Sequence, residues 1–136
     1  FCLWVAFVWG HSLVQGPQSS LESSRVVAVV APLLNALGIT GEAAMSFAVR
    51  KTAHFLEYAV LGVLAVPTFL VPAREGRLPR WLGPLVVILV PMADETIQRF
   101  VPGRESSPRD VFIDLCGAAA GTFVAILVTR GRRRAA

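Results

Sequence analysis

Long apolar blocks, separated by short polar or proline-containing stretches, decide how this chain can fold. A transmembrane helix needs about 20 mostly apolar residues. Blocks of this kind lie near residues 50–71, 81–100 and 110–129, and a shorter block lies near 1–14. Only 16% of the residues are charged, against about 25% in average soluble domains. We therefore predict an all-α fold, an integral membrane bundle of about four transmembrane helices that forms one domain over residues 1–136.

The first block and the connection after it are less regular. Residues 1–14 are interpreted as the end of a span or as a short span, and not as a signal peptide, because no basic segment precedes them. In the connection 15–41, the pattern from Ser19 to Glu22 matches a helix-starting capping box. The stretch 21–37 is apolar on more than one face and contains Pro32. We expect an interfacial helix there, lying on the bilayer or against the spans.

Proline and threonine mark the ends of the second span. Thr40 is expected to cap a helix that begins at Glu42. Pro67 and Pro72 are expected to end that helix, whereas Pro91 lies inside the third span and should kink it.

The formal net charge of +4 reflects arginines placed between the apolar blocks. Arg74, Arg77, Arg80 and the arginines of 130–134 lie on one side of a four-span topology, which predicts a cytoplasmic C-terminus. The connections 15–41 and 101–109 then face outward. This charge pattern indicates membrane lipids as partners and argues against nucleic acid, for which no binding motif is present.

Ionisable residues inside the predicted spans gather at one level. Such residues are costly in a membrane and usually mark a functional site. On the second span Arg50, His54 and Glu57 share one helix face. The third span ends with Asp94, Glu95 and Gln98, and the fourth begins with Asp110 and Asp114. Because the three helices are antiparallel, these residues are predicted to form a single outer site.

Each of these features also has a purely structural interpretation. His54 and Glu57 are spaced as a stabilising i,i+3 pair. Asp110 suits the positive end of a helix dipole. Gly117 and Gly121 form a small-xxx-small pattern that close helix packing explains without a ligand.

Three motifs in this order resemble the VanZ-like family. They are R-K-x-x-H-F-x-E-Y at 50–58 followed by Leu-Gly, D-E-x-x-Q-x-F-x-P-x-R at 94–104, and D-x-x-x-D-x-x-G at 110–117. The resemblance implies a small multi-span protein of the bacterial cytoplasmic membrane, associated with glycopeptide resistance and reduced teicoplanin susceptibility. It implies no settled chemical activity. One departure is Asp114, where the family tends to have Asn; a carboxylate there changes the charge of the site and favours a metal or a protonated Asp.

Three hypotheses follow for the predicted site. In the first, arginines bind the phosphate of an anionic, lipid-linked envelope precursor or headgroup, or contact a glycopeptide. In the second, the chain is an intramembrane hydrolase or transferase in which His54 is the acid or base, Glu57 sets its tautomer, and Asp94, Glu95 and Asp110 hold a divalent cation or water. In the third, the polar residues only lock the bundle.

The candidate residues are divided between these roles. The candidate catalytic residues are His54, Glu57, Asp94, Glu95 and Asp110. The candidate ligand-binding residues are Arg50, Lys51, Tyr58, Gln98, Arg104 and Asp114.

Overall fold

The computed structural model of the chain describes residues 1–104 and 106–135, with side chains up to residue 131. Every regular element in this described part is helical. The elements are α1 (Cys2–Ser12), α2 (Gly16–Ala36), α3 (Glu42–Ala65), a π-helical segment (Val66–Leu70), α4 (Val71–Arg74), α5 (Leu82–Gln98) and α6 (Pro108–Ala135). The predicted all-α fold is confirmed.

Two of these helices are long and apolar enough to cross a membrane. They are the continuous helix Glu42–Arg74 and the helix Pro108–Gly131, with mean hydropathies of 1.8 and 2.2. Large apolar side chains remain exposed along both of them, including Leu56, Phe112 and Phe123. Exposed apolar surface on this scale is unusual for a soluble monomer, and it is compatible with a membrane protein.

The other two predicted spans correspond to α1 and α5. Both are helical where the apolar blocks predict helix, but they have only 11 and 17 residues. A helix rises about 1.5 Å per residue, so neither alone matches a hydrocarbon core of about 30 Å. The four-span arrangement therefore stays a prediction.

The main helix pair is α3 with α6, which is held by glycines. A Cβ atom on Gly121 would lie 1.8 Å from the carbonyl oxygen of Ala59, and one on Gly117 would lie 2.2 Å from that of Phe55. On the partner helix, a Cβ atom on Gly62 of α3 would lie 2.1 Å from the carbonyl oxygen of Ala118 in α6. The small-xxx-small pattern is thus a packing surface, because only glycine lets the two backbones come this close.

A small apolar core lies beside this helix pair and joins four helices. Its buried members are Val8 of α1, Tyr58 and Leu61 of α3, Val90 of α5 and Ala118 of α6. The core therefore fixes the relative positions of the helices that carry the predicted site.

The prediction that Pro67 and Pro72 end the second span is wrong. The helix continues to Arg74 through the π-helical segment, in which the Val71 amide donates to the carbonyl of Val66. Proline has no amide hydrogen to donate, and the Val66 amide donates instead to the Val63 carbonyl that Pro67 cannot reach. A π-turn absorbs the disturbance and lets the helix go on.

The boundaries of α2 and α3 also differ from the predicted ones. α2 begins at Gly16, with Pro17 in its first turn, so Ser19 and Glu22 lie inside the helix and form no capping box. α3 begins at Glu42 as predicted, but Gly41 occupies the N-cap position that was assigned to Thr40. α2 packs against α3, which fits the expectation of a helix lying against the spans.

Candidate functional site

The connections at one end of the bundle contact one another directly. The Gly16 amide donates to the Pro102 carbonyl oxygen over 3.1 Å. Lys51 of α3 forms an ion pair with Asp110 at the start of α6. The start of α2, the first half of α3, the residues after α5 and the start of α6 therefore lie at the same end, as the antiparallel arrangement predicts.

Arg104 joins the connection between α5 and α6 to the end of α1 through hydrogen bonds. Its Nε donates to the Val14 carbonyl over 3.0 Å, and its Nη2 donates to the His11 carbonyl over 2.9 Å. The His11 carbonyl also accepts from the Val14 amide, so the guanidinium adds a second donor there and fixes the chain that leaves α1. The pKa of Arg104 is lowered, because the effect of burial is larger than the opposing effect of the Asp94 carboxylate. The guanidinium nevertheless stays charged at neutral pH.

Three ionisable side chains from three helices meet in the interior, and we call them the buried cluster. They are His54 of α3, Asp94 of α5 and Asp114 of α6, and one side-chain oxygen or nitrogen from each lies within 4.8 Å of the others. His54 Nδ1 is 3.5 Å from Asp114 Oδ1, which is longer than a normal hydrogen bond. Both carboxylates are 0% exposed, whereas the His54 side chain keeps 16% exposure.

The polar atoms of the buried cluster are only partly satisfied. Gln98 Nε2 donates to Asp94 Oδ2 over 3.1 Å and to Ser12 Oγ over 3.2 Å. Several other buried atoms lack a hydrogen-bond partner within the described residues. These atoms are Asp94 Oδ1, Asp114 Oδ1 and Oδ2, His54 Nδ1 and the Tyr58 hydroxyl. Such a group costs about 1–3 kcal/mol if it is left unpaired, so the cluster is a place where water, a proton or an ion would be stabilising.

Glu57 contacts His11 instead of His54. Its Oε1 lies 3.2 Å from His11 Nδ1, while His11 Nε2 lies 3.3 Å from Glu22 Oε2. The predicted assignment of Glu57 as the group that sets the tautomer of His54 is therefore corrected, because Asp114 is the carboxylate beside His54.

Packing of α1 against α3 explains why Glu57 contacts His11. Trp4 Nε1 donates to the Glu57 carbonyl over 2.9 Å, so α1 runs along the side of α3 that carries Glu57. That contact places His11 next to Glu57. Sequence reasoning missed His11, although an ionisable residue at the end of an apolar helix was a usable signal.

Glu95 and Asp110 lie outside the buried cluster. Asp110 pairs with Lys51. Glu95 is 3% exposed, its carboxylate oxygens have no hydrogen-bond partner in the part of the chain that the structure describes, and Ser106 Oγ donates only to its backbone carbonyl. Of the three carboxylates predicted to hold a cation, only Asp94 joins the cluster, and its partner there is Asp114.

A pocket of about 180 Å³ with charged side chains on a largely apolar wall lies between the end of α1, the first half of α2 and residues 49–54 of α3, and we call it the arginine pocket. Arg50 and Arg104 bring positive charge to it, and Glu22 brings one negative charge. His54 lines the pocket and also belongs to the buried cluster. The complete lining is His11, Ser19, Glu22, Ser23, Val26, Val49, Arg50, Ala53, His54 and Arg104.

A sequence model of the family described as VanZ/LLP1 matches residues 1–129. No protein of curated function and no solved structure matches the chain.

Proposed function

The chain belongs to the VanZ/LLP1 family, and we propose that it is a four-span protein of the bacterial cytoplasmic membrane that binds an anionic, lipid-linked envelope precursor. The precursor's phosphate headgroup binds in the arginine pocket. The observation that carries this proposal is the placement of Arg50 and Arg104 around one small pocket at one end of the helical bundle.

The charge of the pocket favours a phosphate. Arginine binds phosphate through paired, charge-assisted hydrogen bonds. Arg104 already uses Nε and Nη2 for backbone carbonyls, so it contributes mainly charge and position. Arg50 is exposed and is the arginine that contacts the headgroup, with the Ser19 and Ser23 side chains beside it.

The size of the pocket favours a headgroup over a larger ligand. Pockets that enclose a drug-sized molecule measure about 300–1,000 Å³, and the arginine pocket measures about 180 Å³. A phosphate with its first attached atoms fills a pocket of this size, whereas a glycopeptide antibiotic would extend well beyond it. The lipid tail then lies along the exposed apolar surface of the helices.

The position of the arginines also fits an outward-facing site. The positive-inside rule disfavours basic residues outside the cytoplasm, so arginines in the proposed outer connections need another reason to be there. Binding an anionic headgroup supplies that reason. In this orientation the loop that contains Arg74, Arg77 and Arg80 and the C-terminus face the cytoplasm.

A binding measurement tests the proposal. The probe is a polyprenyl phosphate titrated into the purified protein in nanodiscs of neutral lipid. We expect Arg50→Gln to raise its Kd about 10-fold, the effect of losing about 1.4 kcal/mol. The matched control is Arg25→Gln on α2, which is exposed and lies outside the pocket. Equal affinities of wild type and Arg50→Gln contradict the proposal.

The proposed link to glycopeptide resistance has its own test. Expression of the wild type in a susceptible Gram-positive host should raise the minimal inhibitory concentration of teicoplanin. Arg50→Gln should remove this effect at equal protein level, whereas Arg25→Gln should keep it. If Arg50→Gln leaves the resistance unchanged, the resistance does not depend on the arginine pocket and this link is contradicted.

A second candidate function is an intramembrane hydrolase or transferase acting on the same class of precursor. It is favoured by His54, which joins the pocket to the buried cluster and has the Asp114 carboxylate beside it. A His–carboxylate pair is a common proton-transfer device. In this version His54 accepts a proton from a water molecule as the water oxygen attacks the terminal phosphorus, the phosphoanhydride bond to the polyprenyl phosphate breaks, and Asp114 orients the ring. Release of inorganic phosphate from a polyprenyl diphosphate by the wild type, lost in His54→Gln, is the result expected for an enzyme.

A further inference from the structure

We propose that the buried cluster of His54, Asp94 and Asp114 binds one divalent metal ion of the Zn²⁺ or Mn²⁺ type. This site lies deeper than the arginine pocket, and the inference does not rest on headgroup binding. It rests on the geometry, the charge and the unpaired atoms of the three side chains.

The spacing of the cluster suits a metal ion. Its three donor atoms lie within 4.8 Å of one another, and each comes from a different helix. Ligand atoms at about 2.0–2.1 Å from a tetrahedral metal ion lie roughly 3.3–3.4 Å apart. The donor atoms therefore approach one another by up to about 1.5 Å when an ion binds.

The unpaired polar atoms of the cluster indicate a bound ligand. Asp114 is 0% exposed, and within the described residues neither of its carboxylate oxygens has a hydrogen-bond partner. Asp94 is equally buried, and its Oδ1 is likewise without a partner among the residues described. Of the four carboxylate oxygens of the cluster, Gln98 donates to Asp94 Oδ2. The remaining oxygens are therefore available to a cation, as is the His54 Nδ1 atom.

The charge of the cluster requires compensation. Two neighbouring carboxylates in a low-dielectric interior repel each other when both are ionised. A protonated His54 offsets one negative charge, and the amide of Gln98 offsets none. A divalent cation neutralises both carboxylates and binds the oxygens that have no hydrogen-bond partner. His54 then binds the ion as a neutral imidazole.

The donor types select the class of metal. Mg²⁺ prefers oxygen ligands and retains several waters. Imidazole nitrogen suits Zn²⁺ and other transition metals, and carboxylate oxygen suits Mn²⁺. One nitrogen and two oxygen donors therefore favour Zn²⁺ or Mn²⁺. Three protein ligands leave a position for water, which is typical of reactive and not of structural zinc sites.

The test is the metal content of the purified protein. Wild type in detergent is stripped with EDTA, incubated with Zn²⁺ or Mn²⁺, and freed of unbound metal by gel filtration before elemental analysis. We expect one ion per chain for at least one of the two metals and none for Mg²⁺ treated in the same way. Wild type that retains no ion of either metal overturns the proposal, and the cluster then holds a proton instead.

Variants locate the ion. Asp114→Asn keeps the shape of the side chain, and we expect it and His54→Gln to raise the metal Kd at least ~100-fold, since even outer-shell changes cost 10–100-fold. The control is His11→Gln, which removes the other of the chain's two histidines and its contacts with Glu22 and Glu57. His11→Gln should keep the ion. Loss of metal in His11→Gln, with retention in Asp114→Asn, places the ion elsewhere and contradicts the proposal.

A spectroscopic measurement covers the case in which the variants do not accumulate. X-ray absorption of the metal-loaded wild type should show one imidazole nitrogen and at least two oxygens at about 2.0–2.2 Å. Sulfur ligands, or a shell without imidazole, would overturn the assignment. Polyprenyl phosphate binding is measured separately on the stripped protein, so failure of either idea leaves the other intact.

Discussion

At the scale of single residues, Gln98 connects α1 to the buried cluster. Its side-chain amide donates both to Ser12 Oγ of α1 and to Asp94 Oδ2 on its own helix. Gln98 is 2% exposed, so water cannot easily replace these bonds. The orientation of Asp94, and through it the shape of the cluster, therefore depends on this one amide.

Replacing Gln98 should destabilise the protein. Gln98→Leu keeps the bulk of the side chain but leaves Ser12 and Asp94 without their donor, and we expect the free energy of unfolding to fall by about 1–3 kcal/mol. Denaturation in mixed micelles measures this. Gln18→Leu is the matched control, because Gln18 is exposed. Equal stabilities of the two variants would show that the amide does not support the cluster.

At the scale of elements, the close packing of α3 and α6 holds two members of the cluster in place. His54 lies on α3 and Asp114 on α6. Gly117 and Gly121 follow Asp114 on its helix and bring the two backbones into contact. The distance between His54 and Asp114 is therefore set by glycines one and two turns away.

A methyl group at this contact should separate the helices. Gly121→Ala would place a Cβ atom 1.8 Å from the Ala59 carbonyl oxygen, and we expect a loss of about 1–3 kcal/mol in the free energy of unfolding. Gly10→Ala on α1 meets no atom within 4 Å, so its helix propensity should leave stability equal or slightly higher. Thermal unfolding in detergent compares the two variants. A Gly121→Ala protein as stable as Gly10→Ala would contradict the packing account.

The sequence predicts helices better than it predicts their ends and contacts. Apolar periodicity locates the helices, because it reflects local chain geometry. It does not reveal that a π-turn carries the helix past Pro67, since that depends on how neighbouring backbone groups rearrange. The pairing of Glu57 with His11 spans 46 positions in sequence, whereas the predicted pairing with His54 considered only local spacing.

At the scale of the whole molecule, the convergence of polar helix ends is the feature that the sequence predicts best. Antiparallel helices must return their ionisable ends to the same level, and contacts such as that of Lys51 with Asp110 join those ends. Which residues form the buried cluster could not be predicted, because it depends on helix rotation. Asp114 was assigned only to ligand binding, and the structure places it beside His54.

The proposed orientation predicts which loops are accessible from outside. In a chain with Cys2→Ser and Cys116→Ser, Thr40→Cys should react with a membrane-impermeant maleimide in spheroplasts. Glu75→Cys should react only after the membrane is permeabilised. Both positions are exposed, so the difference reports topology and not burial. The reverse pattern would contradict an outward-facing site.

Recognition of the charge of a lipid headgroup by the polar end of the bundle is the central proposal for this protein. The most direct measurement compares the affinities of the wild-type protein, in neutral nanodiscs, for a polyprenyl phosphate and for the polyprenol of equal chain length. We predict that the phosphate binds at least ~10-fold more tightly, as expected for one additional charge-assisted contact of about 1.4 kcal/mol. Equal affinities for the two lipids would contradict the account.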